Sequence, residues 1–248
     1  MKTHERLRLA PIVEAILNIQ TELPSEVGVD ELGTLGEKLG RDFPNREVRN
    51  SWTSQFESRG DRQPAATTSG GPVGYLFRSI DGRRVVQARL DGFSYSRLRP
   101  YTGWDEMRAE AQAAWPAFIE TARPTKATRL SLRYINRVEI PLPISDFKEY
   151  LRTSPEIAPG LPQGLSSFFF RVVVPDADSG ATAIITETIE EGGGTVDCLP
   201  LLFDVDVIRP VSLAPKSDQI WLAFDGLRTY KNRVFFESFT DKARELFK

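Results

Sequence analysis

Two aspartates of the run FDVDV, Asp204 and Asp206, could hold a metal ion. The run alternates as a β-strand does, so both carboxylates turn to the same face. Carboxylate oxygens are the ligands that Mg²⁺ takes in phosphoryl-transfer sites, and a metal-dependent phosphoryl-transfer enzyme is therefore one interpretation. No Gly-rich phosphate loop accompanies the pair, because GEKLGRD and GGGTVD do not fit a nucleotide-binding motif. Asp204 and Asp206 are kept as metal candidates, and no cofactor is expected.

The run RLSLRYINRVEI, residues 129–140, predicts a strand with an asparagine, Asn136, on its apolar face. Burying an amide without partners costs about 1–3 kcal/mol, so we expect Asn136 to be hydrogen-bonded. A network that fixes the strand is one interpretation, and ligand binding by Asn136 is the other.

The opposite face of the same strand carries Arg133 and Arg137. Four strand residues span about 13 Å, which is too far for the two guanidinium groups to hold one phosphate. They could contact two phosphates of an extended chain. The alternative is cross-strand pairing with acids such as Asp204, Asp206 or Glu187.

A second arginine row lies in VVQARLDGFSYSRLR, where a single strand would put Arg89, Phe93, Tyr95 and Arg97 on one face. Arginines interleaved with aromatic rings are typical of a single-stranded nucleic-acid platform, since bases stack on rings and cations meet phosphates. The alternative is that Phe93 and Tyr95 face the core, with a bulge at Gly92 that shifts the register.

Composition argues against several kinds of site. The chain has one cysteine, Cys198, and one histidine, His4, so neither a disulfide nor a Cys-His or Ser-His-Asp site is expected. Lys plus Arg against Asp plus Glu is 17 to 17 in residues 1–125 and 15 to 17 in the rest, which gives no bulk nucleic-acid footprint. With neither a signal-peptide pattern nor a long apolar run, we expect a cytoplasmic protein without membrane contact.

Hydrophobic periodicity predicts the elements that must position these residues. Strands are expected at 12–23, 47–58, 75–80, 83–99, 129–140, 166–175, 181–191 and 199–210. Helices are expected at 29–43, 102–122, 145–151 and 217–247, the last with a break around 226–232. Residues 59–74 read as a long loop, and Asp81-Gly82 as a type I′ hairpin turn.

The order of these elements predicts an α+β fold built as a tandem pseudo-repeat. Each half, residues 1–125 and residues 126–248, reads as strand, helix, three strands, helix. Such a unit gives a mainly antiparallel sheet with helices on one face. The halves are expected to form one compact unit, with the two sheets joined edge to edge.

Three stretches together resemble a bacterial family. APIVEAILNI near the start, LRYINRVEIP mid-chain and FFESFTDKARELF at the end are similar in order and spacing to sporadically distributed proteins of about 250 residues without an established activity. The resemblance implies one architecture over the full length and an association with mobile or defence genes. It implies no catalytic residues.

The leading functional hypothesis is therefore a non-enzymatic binding protein that holds a protein partner. The first alternative is nucleic-acid or nucleotide binding through an arginine and aromatic sheet face, with Arg89, Arg97, Arg133 and Arg137 as the contacting residues. The second alternative is the metal-dependent phosphoryl transferase described above. No catalytic set is complete, which argues against an enzyme.

Overall fold

The structure, a computed structural model, describes residues 7–57, 65–162 and 165–248 of the 248-residue chain, without the side chains of 52–57 and 65–69. The strands are β1 (Ile12–Glu22), β2 (Asn45–Glu57), β3 (Ala65–Arg78), β4 (Arg84–Arg89), β5 (Gly92–Leu98), β6 (Lys126–Pro141), β7 (Phe169–Asp176), β8 (Ala181–Ile189) and β9 (Cys198–Leu213). The helices are α1 (Val29–Gly33), α2 (Leu35–Leu39), α3 (Trp104–Ala122), α4 (Gln219–Ser238) and α5 (Asp241–Glu245). In this part of the chain, no helix combines the length and apolar character needed to cross a bilayer.

All nine strands form one antiparallel sheet in the order β2-β3-β4-β5-β1-β6-β9-β8-β7. The prediction of an α+β fold with antiparallel strands is confirmed. In both halves of the chain, the first strand lies beside the last strand, and β1 pairs with β6 at the seam. The pseudo-repeat itself stays a prediction, because the first half has one strand more than the second.

The additional strand comes from a turn that the sequence reading missed. Residues 83–99 form two strands joined at Leu90 and Asp91, where Arg89 pairs with Gly92. Gly92 has φ +146°, and a Cβ there would lie 2.2 Å from the backbone oxygen of Ile19, so a side chain would clash. The predicted bulge at Gly92 is therefore wrong, although Phe93 and Tyr95 do face the core.

Two other local predictions in this half are corrected. At the Asp81-Gly82 hairpin, the amide of Gly82 bonds to the carbonyl of Ser79, and only Gly82 has positive φ. A type I′ turn needs positive φ at both central residues, so the turn is of another type. The predicted loop 59–74 lies partly outside the described residues, and its second part belongs to β3, which begins at Ala65.

The helices follow their apolar stripes. α3 buries the stripe that its 3.6-residue period predicts: Trp104, Met107, Ala111, Trp115 and Phe118. The predicted helix 29–43 is divided into α1, α2 and a 3₁₀ turn at Gly40–Asp42. The break predicted at 226–232 is absent, because α4 runs unbroken to Ser238 with its inner side against β6 and β9. The predicted helix 145–151 shrinks to a 3₁₀ turn at Phe147–Glu149.

The sheet has two unlike faces. The covered face packs against the helices and carries apolar side chains such as Leu17, Leu132 and Val205. The alternate residues form the open face, which bears no helix from the described chain and includes Arg133 and Asp206. Helices on one face of the sheet agree with the prediction.

Candidate functional site

On the open face, the arginines of β6 are bound to acids of the same chain. Nε of Arg133 donates to both carboxylate oxygens of Asp204 at 2.9 and 3.0 Å. Arg137 bonds to Glu190, Glu139 and the carbonyl of Gly193. Cross-strand pairing with Asp204 is thus confirmed for Arg133. Glu187 is not a partner of either arginine, because its side chain lies on the covered face.

The second arginine row is divided between the two faces. Arg89 on the open face bonds to Asp91, while Arg97 on the covered face reaches across to Glu110 and Glu106 of α3. Phe93 and Tyr95, the rings of the predicted platform, are also on the covered face, and both are essentially inaccessible. The platform interpretation is therefore wrong, and the alternative, in which Phe93 and Tyr95 face the core, is confirmed.

The two aspartates of FDVDV share the open face, as predicted, and both have protein partners. Asp204 is bound to Arg133, and Asp206 accepts a hydrogen bond from Oγ of Ser131 at 2.5 Å. Burial raises the pKa of Asp206 despite that hydrogen bond. Across the described residues, the histidine, cysteine, aspartate and glutamate side chains form no group of three or more that could hold a metal ion.

A cleft of about 430 Å³ opens on the covered face above the seam between β1 and β6. It lies between the N-terminal end of α3 and the C-terminal half of α4. Its lining combines apolar side chains, among them Leu7, Pro11, Ile12 and Phe235, with polar and charged ones, among them Asp105, Asn136, Arg228 and Lys231. A concave site of this size with apolar surface and convergent polar groups suits a small molecule.

The N-terminus of α3 forms one end of the cleft. Gly103 is the N-cap residue and offers no side chain to the first turn, so the amides there are uncapped. The positive end of this 19-residue helix favours a negatively charged group. Two acids of the first turn, Asp105 and Glu106, also line the cleft, and Glu106 is bound to Arg97 at 3.0 Å.

Lys231 of α4 reaches into the same cleft from the opposite side. It is only 8% exposed, and its Nζ lies 3.6 Å from the centre of the Tyr134 ring. Burial first, and then the positive charge of Arg228, lower the pKa of Lys231 to about 7. Among the described residues, no carboxylate is paired with this amine, whereas a buried charge ordinarily has a counter-ion.

Tyr134 and Tyr101 close the inner part of the cleft as a hydrogen-bonded pair. Their hydroxyl oxygens are 2.7 Å apart, and their rings meet edge to face with centroids 5.5 Å apart. Burial raises the pKa of Tyr134 well above its usual value, so this hydroxyl keeps its proton at neutral pH. The pair therefore presents a protonated phenol beside the amine of Lys231.

Asn136 is the one predicted binding residue that lies in the cleft. Its Nδ2 donates to the carbonyls of Phe203, at 2.9 Å, and Tyr134, at 3.3 Å, which confirms the expectation of a hydrogen-bonded amide. Both bonds use the nitrogen, and no described residue donates to its Oδ1. Asn136 therefore fixes β6 against β9 and borders the cavity at the same time.

Sequence reasoning missed Lys231, although a signal was present. The inner stripe of α4 contains Phe224, Leu227 and Val234, and Lys231 falls on this stripe where a large apolar residue is expected. A lysine at a core position of an amphipathic helix has to be neutralised, paired or reached by a ligand.

Comparison of the chain with protein-family models, with curated proteins and with solved structures finds no match. The likeness to a sporadically distributed bacterial family therefore stays a prediction. The cleft and the sheet are the features of the molecule that bear on function.

Proposed function

We propose that the protein binds a small organic anion in the cleft above the seam of the sheet. The observation that carries this proposal is Lys231, a nine-tenths buried amine without a paired carboxylate among the described residues, which faces a cleft of about 430 Å³. A bound carboxylate or phosphate would supply the missing counter-charge. The uncapped N-terminus of α3 would hold the same group from the other side of the cleft, and the exposed Arg228 lies beside Lys231 on α4.

The walls of the cleft define the rest of the ligand. Apolar side chains around a small set of polar groups favour a molecule with an apolar body and one anionic end. Asp105 opposes such an anion, since its carboxylate lies at the mouth of the cleft beside the α3 amides. The ligand is therefore expected to be singly or doubly charged and compact, and a polyanion such as nucleic acid does not suit the site.

The test compares matched charged and neutral molecules by calorimetry and thermal denaturation. Benzoate and phenyl phosphate are the anionic probes, and benzamide is the neutral control of similar shape. Binding of an anion, with none of benzamide, is the expected result. Affinity should be constant below pH 7 and fall above it, because the anion prefers the protonated Lys231.

Three variants assign the binding to the cleft. Lys231→Met should abolish anion binding, and Asp105→Asn should strengthen it two- to fivefold by removing a like charge. Arg233→Met is the matched control, because Arg233 lies on the same helix, is 54% exposed and pairs with Asp176. Equal binding by wild type and Lys231→Met would contradict the proposal.

A second proposal concerns a protein partner, which we infer would add an extended segment to β7. This strand ends the sheet, and in the described part of the chain no strand pairs with its outer edge. Phe169 and Val173 of its open face are 71% and 57% exposed. An edge strand with exposed apolar side chains is a common place for another chain to add by β-augmentation.

Val173→Lys tests the second proposal, with Leu222→Lys as its control. Leu222 is 67% exposed on α4, so the control adds the same charge away from the edge. A specific partner captured from the native host by wild type and by Leu222→Lys should be lost with Val173→Lys. If both variants retain the same partners, β7 is not the docking site.

A further inference from the structure

The amine of Lys231 is reachable from the cleft and is not engaged by an acid of the described chain. Its Nζ lies 3.6 Å from the centre of the Tyr134 ring, a contact that stabilises a cation but neither removes a proton nor blocks the nitrogen lone pair. A desolvated lysine next to a second cation, here Arg228, is the arrangement that activates an amine as a nucleophile.

We propose that Lys231 forms an imine with a carbonyl group of the bound anion, so that the ligand is a small oxo acid or an aldehyde carrying a carboxylate or phosphate. This inference rests on the proposed anion binding. In a 2-oxo acid the carboxylate is bonded to the carbonyl carbon, so an anion held by Lys231, Arg228 and the N-terminus of α3 brings that carbon close to the Lys231 amine. Burial of Lys231, which is 8% exposed, limits the access of the water that hydrolyses an imine.

The step balances without an oxidant or a reductant. The nitrogen lone pair of Lys231 forms the new C–N bond while the π bond of the carbonyl breaks, and a proton moves from nitrogen to that oxygen. The nitrogen lone pair then forms the C=N bond as the C–O bond breaks, the oxygen takes a second proton from an adjacent acid and leaves as water, and the second nitrogen proton restores that acid. The hydroxyls of Tyr134 and Tyr101, 2.7 Å apart, are the adjacent groups that can donate a proton to the departing oxygen and recover it.

The inference is tested by reductive trapping on the intact protein. Wild type is incubated at pH 7 with glyoxylate or pyruvate and sodium cyanoborohydride, and the modified residue is located by peptide mass spectrometry. We expect a single adduct on Lys231, formed at least tenfold faster than on exposed lysines such as Lys148 and Lys242. Lactate is an anion without an aldehyde or ketone carbonyl, so it cannot form an imine and should slow the labelling by competition.

Variants separate the chemistry from folding. Lys231→Arg keeps the charge and should form no adduct, while its thermal denaturation shows whether the fold is retained. Tyr134→Phe should slow labelling at least tenfold, since it removes the hydroxyl that donates the proton. Equal labelling rates in wild type and Tyr134→Phe would remove the tyrosine from the mechanism.

The outcomes also separate this inference from the proposed function. Lactate binding without an adduct from glyoxylate or pyruvate would overturn the imine and leave anion binding standing. Labelling spread over the exposed lysines overturns the imine as well. No adduct on Lys231, together with no anion binding by calorimetry, would overturn both.

Discussion

The two faces of the sheet differ in how their charges are partnered. On the covered face Arg97 is bound to Glu110 and Glu106, but two more deeply buried ionisable groups have no such partner in the part of the chain that the structure describes. On the open face, where water can screen a charge, Arg133 and Arg137 are both bound to carboxylates. On the covered face, where screening is poor, Lys231 and Glu187 are 8% and 1% exposed, and neither has an oppositely charged partner among the described residues. The charges that need partners most are the ones without them.

The difference separates structural charges from charges available for function. An ion pair on the open face contributes little to the free energy of unfolding, and its charges lose little hydration. It can join neighbouring strands with little effect on stability. A buried unpaired charge destabilises the fold unless something else compensates for it. Lys231 borders a cleft that a ligand can enter. Glu187 does not line that cleft, so a bound proton neutralises the carboxylate of Glu187 instead.

The first prediction, with the largest effect, is that Lys231→Met stabilises the ligand-free protein. The pKa of Lys231 is about 7 in the folded chain and 10.5 in the unfolded chain, so folding releases a proton between these values. Wild-type stability should therefore rise with pH from 7 toward 10, by on the order of 3 kcal/mol. Lys231→Met should be more stable at pH 7 by a similar amount and lose this rise. Urea unfolding at several pH values measures both.

A variant that gains stability while losing anion binding would set Lys231 apart from core residues. If Lys231→Met is instead less stable than wild type by more than 1 kcal/mol, the lysine stabilises the fold. That result would contradict the claim that Lys231 is an uncompensated buried charge.

The second prediction concerns Glu187, whose pKa burial raises to about 7 from 4.5. The folded protein then retains a proton that the unfolded chain loses, so stability should fall as pH rises from 4.5 to 7. Glu187→Gln should remove this slope and stabilise the protein by about 2 kcal/mol at pH 8. Glu190→Gln is the contrasting control, because Glu190 is bound to Arg137 and should lose a little stability instead.

The third prediction addresses the open face with a double-mutant cycle on Arg133 and Asp204. The pair is well aligned, but the Arg133 side chain is 43% exposed, so screening reduces its value. We expect a coupling energy of about 1 kcal/mol by urea unfolding. The control cycle on Lys148 and Glu156, which are 57% and 72% exposed, should give almost none. A coupling energy above 3 kcal/mol would mean that this open-face ion pair is as strong as a buried one, which would contradict the prediction.

The sequence predicts the elements best where one face of an element is buried. β1 and β6 alternate cleanly, and α3 keeps its apolar stripe over five turns, so periodicity alone locates them. The turn of the β4-β5 hairpin, at Leu90-Asp91-Gly92, was not predicted. It contains an Asp-Gly pair, as does the first hairpin turn at Asp81-Gly82, which was predicted. A long alternating run hides a turn when the residues on both sides of it continue the pattern.

The cleft was beyond local reasoning because its parts are distant in the chain. Gly103, Tyr134 and Lys231 meet only after β1 pairs with β6 and the two long helices pack on the same face. Asn136 is a polar residue on an apolar strand face, and it lines the cleft. Lys231 is the same kind of exception on the apolar stripe of a helix, so the same pattern indicates Lys231.

The last prediction, with the smallest effect, is that Arg89→Ala changes stability by less than about 0.5 kcal/mol. Arg89 bonds to Asp91 across a two-residue turn on the open face, and both side chains are partly in water. If Arg89 were instead part of a nucleic-acid surface, the substitution would weaken binding of single-stranded DNA and reduce its salt dependence. Titration of wild type and Arg89→Ala with an oligonucleotide at about 50 mM salt decides between the two. Equal binding curves would leave Arg89 as a turn residue with a local ion pair, whereas a salt-dependent difference would mean that paired charges of the open face are exchangeable for phosphate.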